Sequence, residues 1–289
     1  MPYFESGNLK MYYEDIGKGE PIITNHGLSE DCNYWSETGI AARLAERYRV
    51  VSMDMRAHGR TVVEGEPPGY DADTMAADFD TLADYLGIDK FHLLSHATGG
   101  MVAVRYAMTR SNRLISLMLT DTGSATRVIM YDAQGREQEE AIRAFTEMPI
   151  PTQMPPLEET MANIHANPGV FLLKMAEHPY SGRMWQIYDG FLRRQDAPAI
   201  LEFMRSFYTD PDPRVDGLRQ IECPTLVLLG EFDYVFRKPS ELMAEEISDV
   251  RHVVMKGLGH MTAIEAPIWT GNELLDFLDC VARTGKANW

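Results

Sequence analysis

Residues 91–104 read Phe-His-Leu-Leu-Ser-His-Ala-Thr-Gly-Gly-Met-Val-Ala-Val, and their pattern predicts a sharp turn of the backbone. The first four residues have the apolar character of a buried parallel strand, and the last four open a helix. Between them, Ser95 and Gly99 stand two places on either side of Ala97. Small residues at those places allow a turn tight enough to point the central side chain off the sheet. The stretch therefore predicts a strand, a sharp turn and a helix, with Ala97 where such turns carry a nucleophile.

Outward from this turn, short apolar runs alternate with amphipathic segments. The alternation predicts right-handed crossovers and an α/β fold with a mostly parallel sheet covered on both faces. The N-terminal run from Leu9 to Glu14 partly alternates apolar with polar residues, as in an antiparallel edge hairpin. The expected parallel strands lie at 21–24, 48–53, 91–94, 114–119, 225–229 and 252–255, and the expected helices at 35–46, 73–86, 99–109, 239–247 and 268–283.

The alternation fails within residues 124–220, a stretch too long for a loop in a compact domain. It is rich in Met and aromatic residues and is broken by prolines. We therefore expect one α/β core formed by 1–123 and 221–289, with a helical cap inserted at 124–220. The apolar cap residues form an ordinary core or line the site of a bulky apolar substrate; the candidate substrate contacts are Met154, Met184, Trp185, Tyr188 and Phe191.

Composition excludes several function classes. In 289 residues, 43 acidic side chains against 27 basic ones give a net charge of −16, which disfavours binding to nucleic acid or to an anionic membrane surface. No apolar run approaches the ~20 residues that cross a bilayer, and Met1 to Glu5 do not begin a signal peptide. Three cysteines without metal-ligand spacing predict free thiols in a reducing compartment. We expect a cytoplasmic protein; a homodimer stays open.

Two further strand ends carry an acid and a base. Asp233 follows the apolar run 226–229, and His260 follows the run ending at Met255 in a Gly-flanked loop. An Asp that orients one imidazole nitrogen leaves the other free to accept a proton, as nucleophilic catalysis requires. Two backbone N–H groups must also hold an oxyanion, and the candidates are those of Thr98, after the turn centre, and Leu28, after His26-Gly27. We expect His26 itself to hold that turn.

Together these residues resemble the α/β-hydrolase family along essentially the whole chain. The resemblance implies a twisted eight-stranded sheet and a site with Ala97 at the nucleophile position, Asp233 as acid and His260 as base. Asp54 to Thr61 resembles a structural turn of the family. Asp121, at the end of another strand, is the competing acid, and Asp233 is favoured. Thr98 to Gly100 and Ile264 to Pro267 are similar to small esterases, enol-lactonases and perhydrolases.

Ala97 bears no nucleophilic atom, so this chain cannot form an acyl-enzyme there. Either Ala97 replaces the serine of an otherwise complete esterase, which is the favoured interpretation, or a natural member of the family has lost or changed its chemistry. Ser95 and His96 occupy places on the turn that point elsewhere.

The predicted function is that of a serine-type ester or lactone hydrolase for a bulky apolar substrate, nearly inactive in this form, with no cofactor and no metal. Alternatives on the same fold are a carbon–carbon bond hydrolase, a cofactor-free dioxygenase or perhydrolase, and a non-catalytic binding protein. We expect Arg183, Arg193, Arg194 or His165 of the cap to contact a polar end of the substrate.

Overall fold

A computed structural model describes residues 2–66, 68–127 and 153–289 of the chain. Its centre is a nine-stranded sheet in the order β1-β2-β4-β3-β6-β7-β8-β9, with β5 paired to β2. The five pairings from β4 to β9 are parallel, and the three that involve β2 are antiparallel. The strands are β1 (Tyr3–Ser6), β2 (Leu9–Gly17), β3 (Glu20–Asn25), β4 (Tyr48–Met53), β5 (Val62–Val63), β6 (Phe91–His96), β7 (Leu114–Thr120), β8 (Thr225–Gly230) and β9 (Val250–Met255).

Helices cover both faces of the sheet. Successive strand residues alternate between two apolar clusters, as Ile22 and Ile23 do, because side chains of a strand point alternately to its two faces. The helices of the described residues are α1 (Tyr34–Glu37), α2 (Ile40–Leu44), α3 (Ala72–Tyr85), α4 (Ala97–Arg110), α5 (Leu157–Ala166), α6 (Gly169–Glu177), α7 (Ser181–Arg193), α8 (Ala197–Phe207), α9 (Val215–Leu218), α10 (Arg237–Glu246), α11 (Thr262–Glu265) and α12 (Pro267–Thr284).

The α/β class, the mostly parallel sheet and the antiparallel N-terminal hairpin are confirmed. The expected count of eight strands is wrong, because the two-residue β5 is a ninth strand too short to show any periodicity. The single helix expected at 35–46 is also wrong. It divides into α1 and α2 at Gly39, whose φ of 79° interrupts a right-handed helix.

Between β7 and β8, the described residues form the helices α5 to α9. The boundaries expected for the cap, 124–220, stay a prediction, and residues 128–152 lie outside the described part of the chain. None of the helices in the described ranges has the length and apolar character needed to cross a membrane. Cys32, Cys223 and Cys280 are free and buried, as small apolar residues are.

Candidate active site

The turn from β6 into α4 holds Ala97 in a strained backbone conformation. Ala97 has a φ of 45°, which costs an L-residue about 1–2 kcal/mol. Hydrogen bonds fix the turn on both sides: the Thr122 hydroxyl donates to the Ala97 carbonyl at 2.6 Å, and the Gly99 N–H donates to the His26 carbonyl at 3.0 Å. A Cβ on Gly99 would collide with that carbonyl oxygen, so this place requires glycine. The surrounding structure therefore enforces a conformation that Ala97 would otherwise avoid.

Asp233 and His260 meet where the loops after β8 and β9 run side by side. His260 Nδ1 donates to Asp233 Oδ2 at 2.8 Å, and the other carboxylate oxygen accepts the Phe236 N–H at 3.1 Å. Both side chains are buried. The Phe232 N–H donates to the Leu258 carbonyl at 2.8 Å and so joins the two loops. This pairing leaves Nε2 of His260 without a hydrogen bond in the described part of the chain, as a proton acceptor requires.

Asp121 supports the two loops and does not bond to His260. Its Oδ1 accepts the Gly230 N–H at 3.1 Å, and its Oδ2 accepts the Thr262 hydroxyl at 2.6 Å. Burial, reinforced by the negative charge of Asp233, raises the pKa of Asp121 well above its usual range. Of the two candidate acids, the structure therefore places Asp233 against the imidazole and Asp121 behind the loops.

Glu265 is a residue of the site region to which sequence reasoning assigned no role. Its carboxylate accepts the Gly259 N–H at 2.7 Å and the Met261 N–H at 3.1 Å, and these two residues flank His260. Burial raises the pKa of Glu265. The Glu265 carboxyl group thus binds the backbone on both sides of His260 and fixes the position of the imidazole. Its position five residues after the histidine, at the end of a short helix, was the available signal.

The two expected oxyanion donors lie on segments that border position 97. Thr98 stands in the first turn of α4, where N–H groups lack intrahelical acceptors. Leu28 follows Gly27, and a Cβ on Gly27 would stand 3.1 Å from the Ala97 methyl group. The Thr98 hydroxyl also shares a hydrogen bond of 2.5 Å with the Tyr208 hydroxyl, which reaches down from the end of α8. An anion at the start of α4 would be favoured by the helix dipole.

Aromatic rings surround His260. The centroid of its ring lies 4.7 Å from that of Phe171 on α6 and 5.4 Å from that of Phe236, which stacks on it. The His96 ring lies 5.2 Å away. Phe236 was not a candidate from sequence, because one apolar residue in a loop has no pattern that marks it. The imidazole of His260 therefore packs against a largely apolar surface.

This arrangement can be compared with known proteins. The family model for the alpha/beta hydrolase fold matches residues 20–267. The chain belongs to the α/β-hydrolase family. It is 26% identical to a non-heme haloperoxidase from Rhodococcus erythropolis, over 96% of this chain and 100% of that protein.

Solved structures agree with the fold of this α/β-hydrolase. An esterase from Exiguobacterium antarcticum superposes with a TM-score of 0.76 at 22% identity, covering 96% of this chain and 98% of that one. Est816, an N-acyl homoserine lactone degrading enzyme, has a TM-score of 0.71 at 21% identity and covers 96% and 100%. The expected family and fold are confirmed, and its relatives support a hydrolase in general terms.

The cap candidates of this α/β-hydrolase occupy different environments. Phe191 is fully enclosed, with its ring centroid 6.1 Å from that of Tyr34, and Met184 is buried in the same apolar cluster. Trp185 contacts His165 at 4.1 Å and Tyr188 at 6.2 Å between ring centroids. Tyr188 and Met154 are half-buried. Met184 and Phe191 thus pack the cap onto the core, and Trp185, Tyr188 and Met154 keep accessible surface.

Three of the four cations expected to contact substrate pair with acidic side chains of the protein. Arg194 donates to Asp31 at 2.6 Å, next to the loop that carries Leu28. Arg193 pairs with Glu158 at 2.7 Å, and His165 pairs with Asp189 at 2.8 Å. Arg183 is exposed.

Gln195 completes the junction between cap and core. Its amide donates to the Glu30 carbonyl at 2.9 Å and accepts the Gly59 N–H at 3.2 Å. Together with the Arg194 to Asp31 pair, these bonds form what we term the cap latch. The end of α7 is thereby attached to the loop that follows β3.

Asp31, Cys32 and Asp54 bring three potential ligand atoms within 4.8 Å of one another. Their oxygens are already engaged: Asp54 accepts the Cys32 N–H at 2.6 Å and the Arg60 N–H at 2.7 Å, and Asp31 accepts from Arg194. Burial raises the pKa of Asp54 to about 6. These hydrogen bonds therefore make the cluster a structural support for the turn at Asp54 to Thr61.

His26 holds the oxyanion turn through both ring nitrogens. Nδ1 donates to the Gly27 carbonyl at 2.9 Å, and Nε2 accepts the Met55 N–H at 3.0 Å. An imidazolium could not accept the Met55 N–H. Burial lowers the pKa of His26 to about 4. The ring is therefore a neutral structural group, as its place in the sequence predicted.

Proposed function

We propose that this α/β-hydrolase binds a bulky apolar ester or lactone in a serine-hydrolase site in which Ala97 stands at the nucleophile position. The observation that carries the proposal is the buried His260 to Asp233 hydrogen bond beside the strained turn at Ala97. Drift in a binding protein would have no reason to retain a buried acid–base pair. The aromatic rings of Phe171 and Phe236 next to His260 support an apolar acyl or alcohol group.

With a hydroxyl at position 97, the reaction has two halves. The hydroxyl oxygen attacks the carbonyl carbon while His260 Nε2 takes its proton, and Asp233 keeps Nδ1 protonated and oriented. The N–H groups of Thr98 and Leu28 hold the oxyanion. The C–O bond to the alcohol then breaks, and His260 gives its proton to the departing alcohol oxygen. In the second half, water loses a proton to the same imidazole and attacks the acyl group, and His260 returns that proton to the oxygen of residue 97 as the acid leaves. With alanine the first half has no nucleophile, so the chain binds its ester and turns it over at best slowly.

The test is to restore the hydroxyl. We expect Ala97→Ser to raise hydrolysis of p-nitrophenyl esters or of lactones by about a thousandfold or more, since loss of a triad nucleophile costs up to ~10⁶ in rate. Initial rates on a panel of aryl, alkyl and macrocyclic substrates give the measurement.

Ala97→Gly is the matched control, because it changes the same residue without adding a nucleophile, and it should remain at the parent rate. Ala97→Ser combined with His260→Gln should also return to that rate. A folded Ala97→Ser protein that hydrolyses no member of the panel above the parent rate overturns the proposal.

The reducing compartment expected from the cysteines remains part of this proposal. The three buried free thiols support a cytoplasmic location.

A further inference from the structure

Glu30 places a second carboxyl group beside position 97. Its Oε2 accepts the Gly27 N–H at 2.6 Å, and the residue is only 2% exposed. A Cβ on Gly27 would stand 2.9 Å from that oxygen and 3.1 Å from the Ala97 methyl group. The carboxyl and the methyl therefore border the same glycine α-carbon. Sequence reasoning missed Glu30, because an isolated acid in a loop is usually solvated.

Within the described residues, no lysine or arginine forms an ion pair with Glu30. His96 lies nearby, with its Nε2 3.6 Å from Oε1, and the nearby charge of Asp31 is negative. Burial lowers the pKa of His96 well below its usual value, so this imidazole stays neutral. Burial also raises the pKa of Glu30 well above its usual range, against the opposing effect of the Gly27 N–H. Burial therefore favours the protonated form of Glu30, in which the carboxyl group can donate a proton.

Two polar atoms near this acid lack partners. Within the described residues, His96 Nε2 and the Tyr34 hydroxyl are buried and make no hydrogen bond. Their rings stack on each other with centroids 4.6 Å apart, and Nδ1 of His96 is held by the Thr120 hydroxyl at 3.1 Å. Buried polar atoms without partners are rare in folded proteins and mark places where a further polar group binds.

Glu30 and His260 both lie close to the ring of His96. His96 contacts Glu30 at 3.6 Å through Nε2, and its ring centroid lies 5.2 Å from that of His260. His260 presents a free Nε2, since Asp233 holds Nδ1. A group that can accept a proton and a group that can donate one therefore both lie close to His96, the residue next to Ala97. Two titratable groups in opposite protonation states are the requirement for acid–base catalysis.

We propose that His260 and Glu30 form an acid–base pair with which this chain, as it stands with Ala97, moves protons on an apolar aryl ketone. His260 Nε2 removes a proton from the carbon next to the carbonyl, so that a C–H bond breaks and an N–H bond forms. The C–H electron pair becomes the enol double bond, and the carbonyl π pair moves to oxygen, which takes the Glu30 proton. The new N–H of His260 exchanges with D₂O; a deuteron then returns from Nε2 to the carbon while the enol proton returns to Glu30, which restores the ketone with a solvent hydrogen on carbon.

The surroundings of His260 suit such a substrate. Phe171 and Phe236 present aromatic rings to the imidazole, against which an aryl group packs. The Tyr208 hydroxyl, hydrogen-bonded to Thr98, is a further neutral donor at the start of α4. The proposed activity does not depend on the ester reaction, because it uses no atom of residue 97.

Deuterium exchange tests the proposal directly. We would incubate the unmodified chain with 2-tetralone in D₂O and follow loss of the benzylic proton signal by NMR. We expect exchange faster than in buffer, and its reduction to the buffer rate in His260→Gln. Glu30→Gln should lower the rate by about a hundredfold, because an amide cannot transfer a proton at neutral pH.

The pH profile separates this role from a structural one. In the unmodified chain, the exchange rate should fall on the alkaline side as Glu30 loses its proton, and Glu30→Gln should remove that fall. Glu177→Gln is the matched control: Glu177 is an exposed cap residue paired with Lys174, and we expect an unchanged rate and profile. Thermal unfolding checks that each variant is folded.

Three results would overturn the proposal: no exchange above buffer in the unmodified chain, exchange that persists in His260→Gln, or an alkaline limb that survives in Glu30→Gln. If Glu30→Gln does not fold, an exchange rate that does not fall at alkaline pH in the unmodified chain would by itself overturn the proposal. Because all measurements use Ala97, their failure leaves the ester proposal standing, and failure of Ala97→Ser on esters leaves this one standing.

Discussion

At the scale of single residues, the site depends on backbone groups that are held in place before any substrate binds. The His26 carbonyl accepts the Gly99 N–H, and its ring in turn accepts the Met55 N–H. One histidine therefore connects the loop after β3, the start of α4 and the turn after β4. Substitutions here should act through geometry and protonation and not through lost contact with substrate.

Gly99→Ala should destabilise the chain strongly. The new Cβ would overlap the His26 carbonyl oxygen and crowd the Asn25 amide at 3.0 Å, so the turn must move. We expect a loss of about 2 kcal/mol or more in the free energy of unfolding, measured by urea titration.

Gly182→Ala on α7 is the control, because a Cβ there meets no atom within 4 Å. It should leave stability unchanged or raise it by up to about 1 kcal/mol. Equal effects of the two substitutions would show that the close approach at Gly99 is unimportant.

His26 should make stability depend on pH in a predictable direction. Its pKa is about 4 in the folded chain, against 6.5 for an exposed histidine. The unfolded chain therefore gains a proton first as pH falls. The contribution of neutral His26 is complete above about pH 6.5 and declines by about 1.4 kcal/mol per pH unit towards pH 4.

Urea titrations of the parent and His26→Gln at pH 7 and pH 5 measure this contribution. Glutamine offers one donor and one acceptor and does not titrate in this range. The variant should lose about 2 kcal/mol less than the parent between the two pH values. An identical pH dependence in both proteins would mean that His26 is not held neutral.

At the scale of elements, the cap latch connects the end of α7 to the loop that follows β3. Arg194 pairs with Asp31, a carboxylate that is almost completely buried. The Gln195 amide donates to the backbone carbonyl of Glu30, the residue before Asp31. An ion pair with one buried partner matters more than an exposed one, because removal of the cation leaves a buried charge uncompensated. The latch therefore attaches the end of α7 to the backbone two residues after Leu28.

Arg194→Ala should loosen α7 over the core. We expect faster amide hydrogen exchange in residues 181–193 and a loss of about 2 kcal/mol in stability. Arg193→Ala is the matched control, since the neighbouring Arg193 to Glu158 pair is exposed and should contribute little to stability. Exchange that responds equally to both substitutions would contradict the latch.

At the scale of the whole molecule, the parallel sheet and the positions of Asp233 and His260 can be predicted from the sequence, because each depends on a local pattern. An apolar run of six residues predicts a strand, and a strand end predicts the edge of the sheet to which Asp233 and His260 belong. Glu30, Phe236 and the partner of Arg194 depend on contacts between distant segments, which no local pattern encodes. The sequence shows the glycine at position 39, but it does not show that this glycine has a positive φ and divides the helix expected at 35–46.

The turn that carries Ala97 is built entirely by its neighbours: Thr122 binds the carbonyl of residue 97, and the Gly99 N–H binds the carbonyl of His26. The identity of the side chain at 97 therefore contributes little to the shape that presents it. In the genetic code, alanine and serine differ by one base. A population carrying this gene is thus one point mutation away from serine at position 97, the substitution that tests the proposed ester hydrolysis.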